Sequence, residues 1–126
     1  MKTGVTGGSG VVGRSVVRHL VAAGHEVSAL ARSDAAASGL EAEGAGTVRG
    51  NVLDPKTLTR LVAGCVGVFH VAGINQLCPA DPARMDLVNI EGTRNVIRAA
   101  RDAAVQRLVH TSSAVVIGER HGTIGT

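Results

Sequence analysis

Apolar positions along this chain change their period several times, and each change marks an element. From Val12 the repeat is helical: Val12, Val16 and Leu20 recur every four residues, Arg14 and Arg18 take another face, and Gly24 supplies a C-terminal stop. Val27 to Ala31 is an apolar run of strand length. Lys2 to Val5, ahead of the helix, is a poor strand on its own merits, because Gly4 brings no side chain to a position that Val or Ile would fill. Two strands flanking one helix predict a β-α-β unit, with a glycine-studded turn, Val5 to Gly13, at the helix entrance.

The alternation continues. Ser33 or Asp34 can cap a short helix running to Glu43, which Gly44 and Gly46 end, and Thr47 to Arg49 follows as a third strand. Asp54-Pro55 is a stronger start signal, since aspartate accepts from free amides and proline loses nothing at the first helical position. That helix turns Leu58, Leu61 and Val62 inward and closes at Gly64. Val66 to Ala72 is the best strand in the chain, apolar on both faces as expected of a strand covered by helices on either side. Asp81-Pro82 opens a last helix to about Ala103, with Met85, Val88, Val96, Ala99 and Ala103 inward and interruptions at Asn89 and Gly92. Arg107 to Ser112 is the fifth strand, and the residues from there to Thr126 read as loop. Five strands alternating with helices through short loops predict an α/β fold, a doubly wound parallel sheet in the order 3-2-1-4-5.

Composition narrows the function. At 126 residues and 44% hydrophobic content the chain is one domain's worth, able to bury its own core. No apolar run approaches the roughly 18 residues of a membrane span and no signal-peptide pattern opens the chain, so a cytoplasmic location without a membrane partner is the default. Thirteen basic against ten acidic residues give a net charge of +3, with the arginines dispersed. With one aromatic residue and no basic run, the chain lacks the stacking platform and electrostatic footprint of nucleic-acid binding. Cys65 and Cys78 lack metal-ligand spacing and read as free thiols; no metal site is expected.

The candidate chemistry lies in the turn. A strand entering a helix through glycines leaves the first helical amides facing open space, where an anionic phosphate can accept them with help from the helix dipole. Gly8-x-Gly10-x-x-Gly13 satisfies a dinucleotide fingerprint of the Rossmann type. Gly8-x4-Gly13-Arg14-Ser15 comes within one residue of a P-loop, with arginine where a lysine point charge is required. A glycine-rich turn that binds nothing is the third reading. In the sheet order above, the turn sits at the C-terminal edge beside the switch point between strands one and four, where open α/β sheets bind ligands.

Four blocks carry a resemblance: Thr6-Gly7-x-x-Gly10-x-x-Gly13, Val68-Phe69-His70-Val71-Ala72-Gly73, Val88-Asn89-Ile90-Glu91-Gly92-Thr93-Arg94-Asn95-Val96, and Leu108-Val109-His110-Thr111-Ser112-Ser113-Ala114-Val115-Val116. In order and spacing they resemble the extended short-chain dehydrogenase/reductases, nearest the branch of NAD-dependent epimerase/dehydratases, dihydroflavonol reductases and 3β-hydroxysteroid dehydrogenases. The resemblance covers nearly all of this chain but only the N-terminal part of such an enzyme. It implies an incomplete NAD(P)-binding Rossmann domain over residues 1–126, truncated after the fifth strand. Gly7, Gly10, Val12 and Gly13 would line the pyrophosphate, and Val71, Ala72 and Gly73 would lie along the centre of the cofactor, although Val71 and Ala72 also suit plain core. Asn51-Val52 stands where the family has an acidic residue and an apolar one beside the adenine. Arg32 lies about 20 residues beyond the glycines, where an arginine suits a 2′-phosphate and an acidic residue a 2′-hydroxyl. NADP is therefore favoured over NAD, with Asp34 two residues on as the competing signal. Asn89 is left between a structural and an active-site role, and His70 and His110 are expected as hydrogen-bonded core residues.

In that family a tyrosine, its pKa lowered by a lysine four residues later, supplies the proton that accompanies hydride transfer. Ser113, with Ser112 as neighbour, matches the serine that holds the substrate oxygen. No tyrosine exists here, and the only lysines are Lys2 and Lys56, so the Tyr-x-x-x-Lys pair is absent. General acid/base catalysis contributes typically ~10²- to 10⁴-fold, so the chain is expected to bind a cofactor and be inactive alone. The enzyme it resembles acts on a sugar nucleotide or a small carbonyl or alcohol. The alternative is a non-catalytic dinucleotide module, a redox sensor or a subunit completed by a partner chain. An unpaired outer edge on the fifth strand further predicts self-association through it.

Overall fold

The computed structural model describes residues 1–76 and 78–113. Strand β1 (Lys2–Thr6) leads through the glycine turn into α1 (Val11–Ala22), then β2 (Glu26–Ala31), α2 (Asp34–Ala42), β3 (Gly46–Arg49), α3 (Pro55–Val62) and β4 (Gly67–His70). A helical segment in three parts follows, α4 (Pro82–Asp86), a π-helical turn (Leu87–Glu91) and α5 (Gly92–Asp102), before β5 (Arg107–His110). All four strand pairings are parallel and the order is β3-β2-β1-β4-β5, as the alternation of elements predicts.

Gly4 shows why a poor strand former sits in the central strand. Its neighbours enforce it: Gly4 pairs with Ser28 on one side and Val68 on the other, and the space a side chain would take meets Val68 Cγ2 at 3.5 Å and Cys65 Sγ at 3.6 Å. The core forms two layers. On one face Val5, Val17, Val27, Ala29, Ala31, Ala37 and Leu40 join β1 and β2 to α1 and α2. On the other Leu30, Leu58, Leu61, Val62, Val68, Val96 and Ala100 join the sheet to α3 and α5. The Asp54 carboxylate caps α3, accepting from Lys56 N at 3.0 Å, and Asp81 caps α4 by accepting from Arg84 N at 2.9 Å, as their Asp-Pro pairs predict.

Several expectations need correction. In α1 the buried stripe is Gly13 and Val17, whereas Val12 is 55% exposed and Val16 and Leu20 are only half-buried. The cause is steric: Gly13 backs onto the Gly7 peptide, which fixes the rotation of the helix and turns Val12 outward. Strand β4 is shorter than the apolar run Val66 to Ala72, since the chain leaves the ladder after His70. Strand β5 ends at His110 rather than Ser112, and His110 is exposed rather than core. On α5 Ala100 is buried in place of Ala103, which is exposed as the C-cap. The interruption foreseen at Asn89 and Gly92 is the π turn, which adds a residue to one turn and shifts the phase of everything after it.

On the α1–α2 face, among the described residues, the helical cover stops at β1. Phe69 of β4 and Val109 of β5 line open cavities of about 310 and 400 Å3 beside Leu20 and His25, with Val109 41% exposed. Among the described residues no helix is long and apolar enough to cross a membrane.

Candidate functional site

Because every strand is parallel, the residues that follow β1 to β5 emerge at one edge of the sheet. The glycine turn, Arg32, Asn51, Val71 to Gly73 and Ser113 therefore share that edge, as an open α/β ligand site requires. The turn is closed by backbone alone. Gly10 N donates to Gly7 O at 3.0 Å, and Gly7 has a φ of +73° that side chains rarely adopt. A Cβ on Gly7 would lie 2.5 Å from Ala72 N and 2.7 Å from Val71 C, so the turn presses directly on the segment after β4. A Cβ on Gly13 would lie 2.6 Å from Gly7 C and 2.9 Å from Gly8 Cα.

The entrance of α1 is left open. Its N-cap, Gly10, offers no side-chain cap and the first turn holds no acidic residue. Helix geometry leaves the first amides without intrahelical partners, and the dipole adds partial positive charge there. Val11 and Val12, 92% and 55% exposed, flank the opening. Arg14, which would stand for the P-loop lysine, is turned away: its Nε is 2.8 Å from Glu43 Oε1, beyond the end of α2. With Arg14 engaged by Glu43, the residue at the P-loop lysine position is paired at the end of α2.

The remaining candidates differ in what they present. Arg32 is exposed just past β2 and, among the described residues, makes no ion pair. Asp34, the competing acidic signal, is paired with Arg49 Nη2 at 3.0 Å. Asn51 is exposed, and its Oδ1 accepts from Leu53 N at 2.8 Å, which leaves its amide nitrogen free to donate. Val52 is 6% exposed and packs in the core, so Asn51 is what that pair presents at the surface. Val71 and Ala72 are half-buried and Gly73 is exposed. Ser113 is exposed after β5, and Thr111 N, donating to His70 O at 3.0 Å, continues the ladder towards it.

Asn89 has a structural answer. Its Oδ1 accepts from Ile74 N and its Nδ2 donates to Ile74 O, both at 2.8 Å, so one side chain clamps the segment after β4 to the π turn. Next to it lies His70, a hydrogen-bonded core residue as expected, between two threonines that sequence reasoning left without a role. His70, fully buried, has Nδ1 2.6 Å from Thr6 Oγ1 and Nε2 2.9 Å from Thr93 Oγ1. Burial, with a smaller contribution from the stacked His110 ring 5.0 Å away, lowers the pKa of His70 to about 4. The polar identity of Thr6 and Thr93 at otherwise apolar positions was the available signal, and it becomes readable only once the register brings Thr6 beside His70.

Comparison with known proteins agrees with this geometry. The pattern of the 3-beta hydroxysteroid dehydrogenase/isomerase family matches residues 4–124. A 4-hydroxy-2-methyl-3-oxo-4-farnesyl-3,4-dihydroquinoline-1-oxide ketoreductase of Stigmatella aurantiaca is 42% identical over 119 residues, 94% of this chain and 35% of that protein. A UDP-glucose 4-epimerase of Streptomyces lividans is 37% identical over 121 residues, 91% of this chain and 36% of that protein. Among solved structures, a short-chain dehydrogenase/reductase superfamily protein from Agrobacterium tumefaciens with bound NAD superposes with a TM-score of 0.80 at 34% identity, over 93% of this chain and 34% of that one. The chain thus spans about a third of the length of the relatives it matches.

Proposed function

Since the chain belongs to the 3-beta hydroxysteroid dehydrogenase/isomerase family, within the extended short-chain dehydrogenase/reductases, we propose that it forms the dinucleotide-binding portion of an NAD(P)-dependent oxidoreductase or epimerase. The observation that carries this reading is the uncapped α1 entrance beside a backbone-closed glycine turn, packed so tightly that a Cβ at Gly7 or Gly13 would meet neighbouring backbone. Gly7, Gly10, Val12 and Gly13 would hold the pyrophosphate against the first amides of α1. Arg32 and Asn51 would take the adenosine end over β2 and β3, and Val71, Ala72 and Gly73 would run along the centre. A bound nicotinamide supplies hydride acceptance and donation; the chain's own residues bind and orient it.

NADP is the favoured form, because Arg32 has no ion-pair partner among the described residues while Asp34 is engaged by Arg49. Ser113 would hold a substrate oxygen, either of a sugar nucleotide or of a small carbonyl or alcohol. With no tyrosine in the chain, the proton donor is missing, and no turnover is expected from this chain alone. A second reading, a non-catalytic dinucleotide module acting as a redox sensor or completed by a partner chain, would use the same cofactor site, and β5, paired with β4 alone among the described residues, favours self-association through its outer edge. Titration with NADPH and NADH, followed through nicotinamide fluorescence because the chain has no tryptophan, tests the proposal. NADPH should bind more tightly, and Arg32→Ala should cost NADPH roughly ten- to hundredfold while sparing NADH, the loss of a charge-assisted contact. Equal affinities, or no effect of Arg32→Ala, remove the NADP preference; binding of neither removes the cofactor reading.

A further inference from the structure

The buried contacts around His70 run in one direction only. Thr93 Oγ1 lies 2.6 Å from Asn89 O, and a carbonyl has no proton to give, so the Thr93 hydroxyl donates there. Its oxygen then accepts from His70, which puts the proton on Nε2. A neutral ring with Nε2–H has Nδ1 as acceptor, so the Thr6 hydroxyl donates to Nδ1 at 2.6 Å. Thr6 Oγ1 in turn accepts from Ala72 N at 3.3 Å. The chain therefore reads Ala72 N–H to Thr6, Thr6 to His70, His70 to Thr93, and Thr93 to the Asn89 carbonyl of the π turn.

Every donor in this series has one acceptor, and reversing one reverses the rest. A proton on Nδ1 would turn the Thr6 hydroxyl away from His70, and Thr6, 0% exposed, has no other acceptor among its described contacts. An orphaned buried donor is costly. The two ends of the series are functional segments: Ala72 presses on Gly7 of the turn, and Asn89 clamps Ile74.

The geometry points to His70 as a positioning residue: held as the neutral Nε2–H tautomer between Thr6 and Thr93, it fixes the segment Val71 to Gly73 against both the glycine turn and the π turn, and so sets affinity for the nicotinamide half of a dinucleotide. This rests on the proposed cofactor reading for its consequence but not for its geometry. The half affected follows from strand order. With adenosine over β2 and β3 and the pyrophosphate at the β1 turn, the remainder of a dinucleotide must cross towards β4 and β5.

Two measurements on the full chain test it. Nitrogen-15 spectra of the histidines in the unliganded protein should show His70 neutral with its proton on Nε2 at pH 7, and amide exchange at Ala72 and Ile74 should be slow. A proton on Nδ1, or a charged ring, overturns the proposal whether or not any cofactor binds. Thr93→Val keeps shape but removes the acceptor; exchange at Ala72 should speed up while β1 and β2 stay protected, and Thr93→Ser should restore it. Affinity for NADPH should fall roughly three- to tenfold in Thr93→Val, one neutral hydrogen bond's worth. Affinity for ADP, which has adenosine and pyrophosphate but no nicotinamide half, should hold. Equal losses for both ligands, or none together with unchanged Ala72 exchange, would show His70 to be ordinary sheet support. If neither the wild type nor the variants bind a dinucleotide, the cofactor reading fails separately, and the tautomer and exchange data decide the positioning role.

Discussion

The sheet has two unequal halves. From β3 to β1 helices pack on both faces, and β1 has four of its five residues buried. At β5 no residue of the strand is fully buried, and on the α1–α2 side Phe69 and Val109 face open cavities. The parts proposed for the pyrophosphate and adenosine, the turn and the ends of β2 and β3, stand on the first half; Ser113, the substrate-side candidate, stands on the second, and Val71 to Gly73 lie between. His70 lies at the seam between them. Rigid, fully supported geometry thus exists where a pyrophosphate would sit, and little of it exists where a substrate would.

The largest expected effect comes from the covered half. In Gly13→Ala the new methyl meets the backbone of Gly7 and Gly8, which cannot yield as the end of a flexible side chain can. Overpacking of this kind against backbone should cost roughly 3 kcal/mol or more, at the severe end for a single substitution. Urea unfolding should show a lowered midpoint, and nicotinamide fluorescence should show no dinucleotide binding. Wild-type stability with intact binding would mean that the turn is not the rigid cradle its contacts describe, and the contrast between the halves would lose its strongest member.

Legibility in the sequence follows the same division. Strand order and cap positions could be read because they depend on local chemistry: an Asp-Pro at a helix start or a Gly at a stop acts within a few residues. The family blocks were legible for a related reason, since Gly7, Gly10 and Gly13 answer to steric demands that no other residue meets. What was misread depends on contacts distant in sequence. Periodicity alone marked Val12, Val16 and Leu20 as the repeat of α1, but the Gly13–Gly7 contact sets the helix rotation and buries Gly13 and Val17 instead. Its place in a predicted strand put His110 in the core, yet His110 is exposed and, among the described residues, no helix covers that end of β5. Thr6 and Thr93 are 87 positions apart by their numbers; β1–β4 pairing brings Thr6 to His70, and the packing of α5 on the sheet brings Thr93.

A smaller effect is expected at the seam, read through acid. From β5, His70 faces His110; from β1 and α5 it meets the hydroxyls of Thr6 and Thr93. In the unfolded chain a histidine takes up its proton near 6.5, and in the folded protein His70 does so at about 4. Between those values the unfolded state binds more protons, so stability is complete above about pH 6.5 and declines as pH falls towards 4. The separation corresponds to roughly 3 kcal/mol at the acid end, reached gradually rather than at one pH. Carboxylates such as Asp54, whose pKa is lowered chiefly by the hydrogen bond from Thr57, add their own loss at lower pH. The His70 share is isolated by comparing wild type with His70→Gln in urea melts between pH 7.5 and 4.5. The variant should start less stable and lose less over that interval. Parallel pH profiles would show that His70 is not held neutral by the fold.

The smallest effect is expected on the bare half, and it probes what occupies that face in solution. Val109 is 41% exposed on β5, so Val109→Ala removes little buried surface and some strand preference, together no more than about 1 kcal/mol. Unfolding midpoints of the variant and wild type should nearly coincide at protein concentrations low enough to keep copies apart. A loss several times larger, growing with concentration, would mean that a second copy covers Val109 and the edge of β5. The face would then be a partnered surface, and the imbalance between the two halves would belong to the isolated chain rather than to its associated form.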